Sequence, residues 1–206
     1  MEVLLNYFVV LFIVVDPVGL APMFIALTQG VSIEYQRKMA ISGTLLASGM
    51  LLLFYFVGDS LLKALGIGIP AFRIAGGALL FLLAIDMVFA RQSGLRSTTI
   101  REQREAETKQ DISVFPLAFP LIAGPGALTT VLLMSSSAKG ALAFGGTLAV
   151  LVKVLGITLL SLLFASHILK FLGETGTNVF SRLFGLILAA LAVQFMLDGI
   201  HSSFKG

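Results

Sequence analysis

Residues 14–22 read Val14-Val15-Asp16-Pro17-Val18-Gly19-Leu20-Ala21-Pro22, and residues 121–130 read Leu121-Ile122-Ala123-Gly124-Pro125-Gly126-Ala127-Leu128-Thr129-Thr130. Both stretches lie inside long apolar runs, and Pro17 and Pro125 stand 108 residues apart. Five of the six prolines fall in or beside these stretches: Pro17, Pro22, Pro116, Pro120 and Pro125. Proline inside a helix removes one backbone hydrogen bond and clashes with the carbonyl a turn back. A bilayer offers no water to the freed groups, so such breaks persist only where protein buries them or a cavity lies beside them. Broken spans in corresponding places of two halves point to the binding site of a transporter.

Composition sets the class. The chain has 206 residues, 57% hydrophobic and 12% charged, with a mean hydropathy of +1.00. Soluble domains carry about 25% charged residues, so an all-α polytopic membrane protein is expected. A hydrocarbon core about 30 Å thick needs about 20 apolar helical residues. On that template spans are predicted near residues 4–28, 39–62, 70–90, 112–134, 141–166 and 179–200. Glu2 precedes the first span and no Lys or Arg does, so the basic start of a signal peptide is missing.

The polar stretch 91–111 carries five basic and four acidic residues. It divides the chain into a first three-helix repeat (1–90), a charged cytoplasmic linker (91–111) and a second three-helix repeat (112–206). At the offset of 108, Phe72 meets Phe180, Gly77 meets Gly185, Ala84 meets Ala192 and Asp86 meets Gln194. Three spans per half is an odd number, so the second half enters the membrane in the opposite sense. The predicted fold is therefore six transmembrane helices in two inverted three-helix repeats, with helices 1 and 4 broken. With the N-terminus outside, nine Lys and Arg fall on the cytoplasmic side and four on the outer side. This bias places both termini outside.

Several chemistries find no support. There are no cysteines and only two histidines, His167 and His201, so neither a thiol nor a histidine metal cluster is expected. The basic residues lie between apolar spans, which speaks for the lipid bilayer and against nucleic acid. No phosphate loop, dinucleotide loop or zinc-protease helix occurs. Neither catalytic residues nor a cofactor are expected, and the chain reads as a non-enzyme.

Candidate binding residues cluster at the breaks. Asp16 is an ionisable group near mid-span, functional by default at that depth, and is also placed to cap the helix that follows. Gly124, Pro125 and Gly126 would end one half-helix and open another, whose bare N–H groups and positive dipole end suit a carboxylate. Thr129 and Thr130 follow in its first turn. With Pro17, Gly19 and Pro22, these residues frame a dipolar pocket matched to a small zwitterion, its ammonium toward Asp16. Asp16 and Lys153 are the candidates for coupling to a proton or sodium gradient. Asp86, Gln194, Arg73 and Arg182 are read as structural polar groups.

The motif Asp16-Pro17-x-Gly19-x-x-Pro22-x-Phe24 resembles the first-helix motif of the MarC family of bacterial and archaeal membrane proteins. Pro116-x-Ala118-x-Pro120-x-x-Ala123-Gly124-Pro125-Gly126 is similar to the family's fourth-helix motif. Gly68-Ile69-Pro70-Ala71-Phe72-Arg73-Ile74-Ala75-Gly76-Gly77 resembles its third-helix entry. Ser181-Arg182-Leu183-x-Gly185, continuing to Gln194 and Asp198-Gly199-Ile200, resembles its last helix. The resemblance implies a six-span inner-membrane protein and a transporter of small neutral amino acids such as glycine and alanine. The competing expectations are an exporter or channel for another small solute, and a membrane scaffold that transports nothing.

Overall fold

Asp16 separates two helices that would otherwise be one. In the computed structural model, which describes residues 2–89, 111–138 and 140–204, helix α1 (Glu2–Val15) stops one residue before it and α2 (Pro17–Leu27) starts one residue after it. Pro17 is the first helical residue of α2, where the missing N–H costs nothing. Helix α3 (Ile33–Ala64) starts at Ser32, whose hydroxyl accepts the Tyr35 N–H at 3.3 Å. It begins six residues ahead of the predicted span 39–62. After Ile33 the extra residues, Glu34 to Lys38, are polar and mostly exposed, so the Ser32 cap rather than apolar surroundings sets where α3 starts. Helix α4 spans Ile69–Phe89.

The chain from residue 113 onward holds a second interruption between helical segments. Segment α5 (Ser113–Ile122) is an underwound helix in which Phe115 and Phe119, each preceding a proline, are extended. Its bonds reach five residues back: Leu117 N–H to the Ile112 carbonyl at 3.2 Å, and Ala123 N–H to Ala118 at 2.9 Å. Helix α6 (Pro125–Ser137) leaves it at 58°. Helix α7 (Ala141–Leu163) is followed almost directly by α8 (Ala165–Ser203), which is interrupted at Gly173 with φ 67°. The stretch 165–172 is thus a short helix of its own and the last span runs from Thr175 to Ser203. Among the described residues five helical stretches are long and apolar enough to cross a membrane, or six with the bent pair α5–α6. The predicted linker 91–111 lies outside the described residues except for Asp111.

Polarity is distributed as a bilayer demands. Leu45, Leu53, Phe56, Leu183, Leu186 and Ile187 are exposed on the outer surface, while Thr129, Thr130, Thr147, Thr158 and Ser161 are buried between helices. Lipid tails are as apolar as leucine, so helices associate through close packing and interhelical hydrogen bonds. Gly77 of α4 lies against α8 so closely that a Cβ there would sit 2.8 Å from the Ala192 carbonyl oxygen. Gly185 of α8 lies against α4 in the same way, 3.1 Å from the Ala84 carbonyl oxygen. The two contacts exchange when 108 is added to or taken from each number. Other packed pairs come in the same kind of couples: α2 with α8 and α6 with α4, α1 with α7 and α5 with α3, α2 with α7 and α6 with α3.

Candidate functional site

The first break is built around one buried carboxylate. Asp16 adopts the left-handed conformation, φ 51° and ψ 64°, which Asp and Asn tolerate better than other side chains. That turn lets Oδ1 accept the Gly19 N–H at 3.1 Å, capping α2. Oδ2 accepts the Ser181 hydroxyl of α8 at 2.9 Å. The Ser161 hydroxyl of α7 donates to the Pro17 carbonyl at 2.6 Å. A Cβ on Gly19 would fall 2.2 Å from Asp16 Oδ2 and 2.5 Å from Ser181 Oγ, so glycine is the residue that admits this three-way contact. Asp16 is 2% exposed. Pro22 lies within α2, one turn beyond.

The second break carries no such acid. Gly124 is extended, φ −71° and ψ 172°, and α6 starts on Pro125 without a side-chain cap. A Cβ on Gly124 would meet the Pro120 carbonyl oxygen at 2.4 Å. Thr130 is buried and returns its hydroxyl to the Gly126 carbonyl at 2.8 Å, while the Thr129 methyl fills the space over Gly76. The threonines therefore firm up α6 and its contact with α4. The two breaks touch: a Cβ on Gly126 would lie 3.3 Å from Val14 Cγ1 and 3.1 Å from Leu80 and Leu83. A cavity of about 10 Å³ lies there, beside Val14, Leu83, Pro120 and Gly124 to Ala127. That is about the room one water requires, so the breaks are closed on each other in this conformation.

A larger cavity, about 140 Å³, opens at the N-terminal end of the bundle beside Tyr7, Arg73, Thr130, Ser137, Phe195 and Asp198. Arg73 is half-buried and donates to the Ser137 hydroxyl at 3.1 Å, joining α4 to α6. Gln194 donates to Asp198 Oδ1 at 2.8 Å, a bond within α8. Asp86 is half-buried in α4 and Arg182 is exposed on α8. Lys153 is exposed on α7, its ammonium 5.3 Å from the centre of the Phe8 ring.

The helix starts at Pro17 and Pro125 were readable from Pro and Gly. Ser161 and Ser181, which hold the first break from α7 and α8, were not predicted, and neither was the cavity at Arg73 and Asp198. The one available signal was positional: Ser181 stands 108 residues after Arg73, at the start of the corresponding span.

A sequence profile described as MarC family integral membrane protein matches residues 1–204. The UPF0056 membrane protein MJ1677 of Methanocaldococcus jannaschii is 37% identical over 97% of this chain and 98% of its own. The UPF0056 membrane protein YvbG of Bacillus subtilis is 34% identical over 98% and 95% respectively. The UPF0056 inner membrane protein YhgN of Escherichia coli is 34% identical over the whole of both chains. No solved structure matches the chain.

Proposed function

The chain belongs to the MarC family of integral membrane proteins, and from that premise we propose that it is a secondary transporter of small neutral amino acids, the glycine and alanine class. The observation that carries this is the meeting of two unlike breaks. One presents a buried carboxylate, Asp16, and the other a helix start without a side-chain cap, at Gly124 to Gly126. An ammonium suits the first and a carboxylate the second. The substrate-binding set is then Asp16, Pro17, Gly19 and Pro22 with Gly124, Pro125, Gly126, Thr129 and Thr130.

The reading treats residues 1–90 and 112–206 as inverted repeats that rock about this site. The exchanged contacts of Gly77 with Ala192 and Gly185 with Ala84 support it, because a two-fold axis in the membrane plane requires such exchange. An asymmetry supports alternating access. Where α2 meets α8, Asp16, Gly19 and Ser181 close the contact, whereas the corresponding meeting of α6 with α4 borders the 140 Å³ cavity. The energy source is a proton or sodium gradient, and the coupling group is Asp16 rather than Lys153, since only Asp16 is buried between the halves. The protein resides in the inner (plasma) membrane with both termini outside. The name of the Escherichia coli relative supports the membrane and the Lys and Arg count supports the orientation.

The test is flux. Purified protein in liposomes, under an imposed proton or sodium gradient, is expected to accumulate or expel radiolabelled glycine or alanine, with saturation and counterflow. Movement of neither amino acid under either gradient would overturn the proposal.

A further inference from the structure

We propose that the cavity between Arg73 and Asp198 is a second amino-acid site, an antechamber that takes the zwitterion before it reaches the breaks. This deepens the transport reading and rests on it. The cavity of about 140 Å³ is on the order of ten times the room that one water needs. Two residues of opposite charge line it: Arg73 from the start of α4 and Asp198 from the end of α8. Among the described residues these two form no ion pair with each other. The partner of Arg73 is the neutral Ser137 hydroxyl, and that of the Asp198 carboxylate is the neutral Gln194 amide.

A guanidinium is a fork that binds a carboxylate through two parallel N–H bonds, and a carboxylate binds an ammonium. A small amino acid carries both complementary charges a few ångströms apart, so one molecule answers both walls. The walls are held in place. A Cβ on Gly199 would sit 2.8 Å from the Pro70 carbonyl oxygen and 3.2 Å from Arg73 Cβ, so α8 carries Asp198 past Arg73 at close quarters. Thr130 borders the cavity and bonds to the Gly126 carbonyl, so one turn of α6 connects this site to the second break. Leu133, Met134 and Phe195 supply apolar walls that accept a side chain no larger than the space left over.

The experiment titrates the purified full-length protein with glycine, with glycinamide, which lacks the carboxylate, and with acetate, which lacks the ammonium. Binding is read by calorimetry and by thermal stabilisation. Wild type is expected to prefer glycine to both analogues. Arg73→Gln is expected to weaken glycine binding at this cavity at least about tenfold and to narrow the preference for glycine over glycinamide, of which the helix start at the breaks keeps its share. Asp198→Asn is expected to weaken glycine binding at this cavity similarly, to keep that preference and to narrow the one over acetate, of which Asp16 keeps its share. Arg73→Lys keeps the charge without the fork and should fall between wild type and Arg73→Gln, which reads the same contrast in a variant of least disturbance. Glycine affinity within about twofold of wild type in both charge-removing variants would overturn the antechamber and leave the site at the breaks standing. So would a glycinamide contrast undiminished in Arg73→Gln. Failure of wild type to bind any amino acid would overturn the antechamber and the transport reading together.

Discussion

Ser181 donates its hydroxyl to the Asp16 carboxylate at 2.9 Å, so the start of the last span holds the break in the first, 165 residues away in sequence. The same carboxylate caps α2 through Gly19. Asp16 therefore does two structural jobs while occupying the left-handed region, and substitutions separate them. Asp16→Asn keeps the backbone preference and an acceptor for the cap. Asp16→Ala loses the cap, worth about 1 kcal/mol, and adds left-handed strain of about 1–2 kcal/mol. Ser181→Ala removes one interhelical bond, worth about 1 kcal/mol. Thermal unfolding in detergent should rank wild type and Asp16→Asn above Ser181→Ala, with Asp16→Ala lowest. Equal stability of Asp16→Asn and Asp16→Ala would show that the left-handed turn at Asp16 is not what shapes the break.

The α4–α8 contact predicts a matched pair of mutational effects. A Cβ at Gly77 meets the Ala192 backbone, and a Cβ at Gly185 meets the Ala84 backbone, neither of which can swing aside. Gly77→Ala and Gly185→Ala should each destabilise by about 1–3 kcal/mol through overpacking. Gly49→Ala and Gly156→Ala are the controls: nothing lies within 4 Å of a Cβ there, and both sit within helices. They should be neutral or stabilising by up to about 1 kcal/mol. Unfolding temperatures of the four variants check this, and a loss at Gly49 or Gly156 equal to that at Gly77 would refute the packing argument.

These contacts also mark how far the sequence could be read. Span positions were legible because bilayer thickness converts directly into apolar length. The helix starts at Pro17 and Pro125 were legible because proline and glycine act on their own backbone, as at Pro17, Gly124 and Pro125. Asp16 as a cap was legible for the same reason, since its partner Gly19 is three residues away. Ser161, Ser181 and Tyr55 were not legible. Each is an ordinary polar residue in an apolar helix until its partner is known, and those partners lie 89 to 165 residues distant. Asp198 is the instructive case. Nothing in its own sequence neighbourhood marks it, but Gly199 draws α8 against α4 and brings Asp198 to a cavity shared with Arg73. The polar first turns of α3 were missed for a different reason: a hydropathy template registers only the apolar part of a helix, and the Ser32 cap lies ahead of it.

Tyr55 ties α3 to α7. Its hydroxyl meets the Phe144 carbonyl and the Thr147 hydroxyl, and its ring packs on Phe144 at a centroid distance of 4.6 Å. Tyr55→Phe keeps the ring contact and removes the polar one. Thr147 retains acceptors in its own helix, the Ala143 and Phe144 carbonyls, so no buried hydroxyl is orphaned. The expected loss is about 0.5–1.5 kcal/mol. Tyr55→Ala also empties the ring site and should cost about 3–5 kcal/mol. Chemical denaturation of the two variants measures the difference, and a Tyr55→Phe loss as large as that of Tyr55→Ala would mean that the hydroxyl, not the ring, holds these helices together.

Gly126 tests the meeting of the breaks directly. The first carbon of any side chain there lands 3.1 Å from Leu80 and Leu83 and 3.3 Å from Val14, tighter than ordinary contact but against side-chain ends that can yield. Alanine is therefore accommodated, whereas the two further methyls of valine must displace Val14 and fill the cavity of about 10 Å³ between the breaks. Overpacking of this kind costs about 1–3 kcal/mol and leaves most cores folded. If the breaks must part around a substrate and close again, Gly126→Val should lower glycine flux at least about tenfold, a rise in barrier of about 1.4 kcal/mol. Gly126→Ala should remain within a few-fold of wild type, and Gly156→Val, on the open face of α7, should leave flux unchanged. Initial rates in liposomes matched for protein content give the comparison. Full flux in Gly126→Val would remove the breaks from the transport path, because no substrate could pass between Val14 and position 126 without meeting the added methyls.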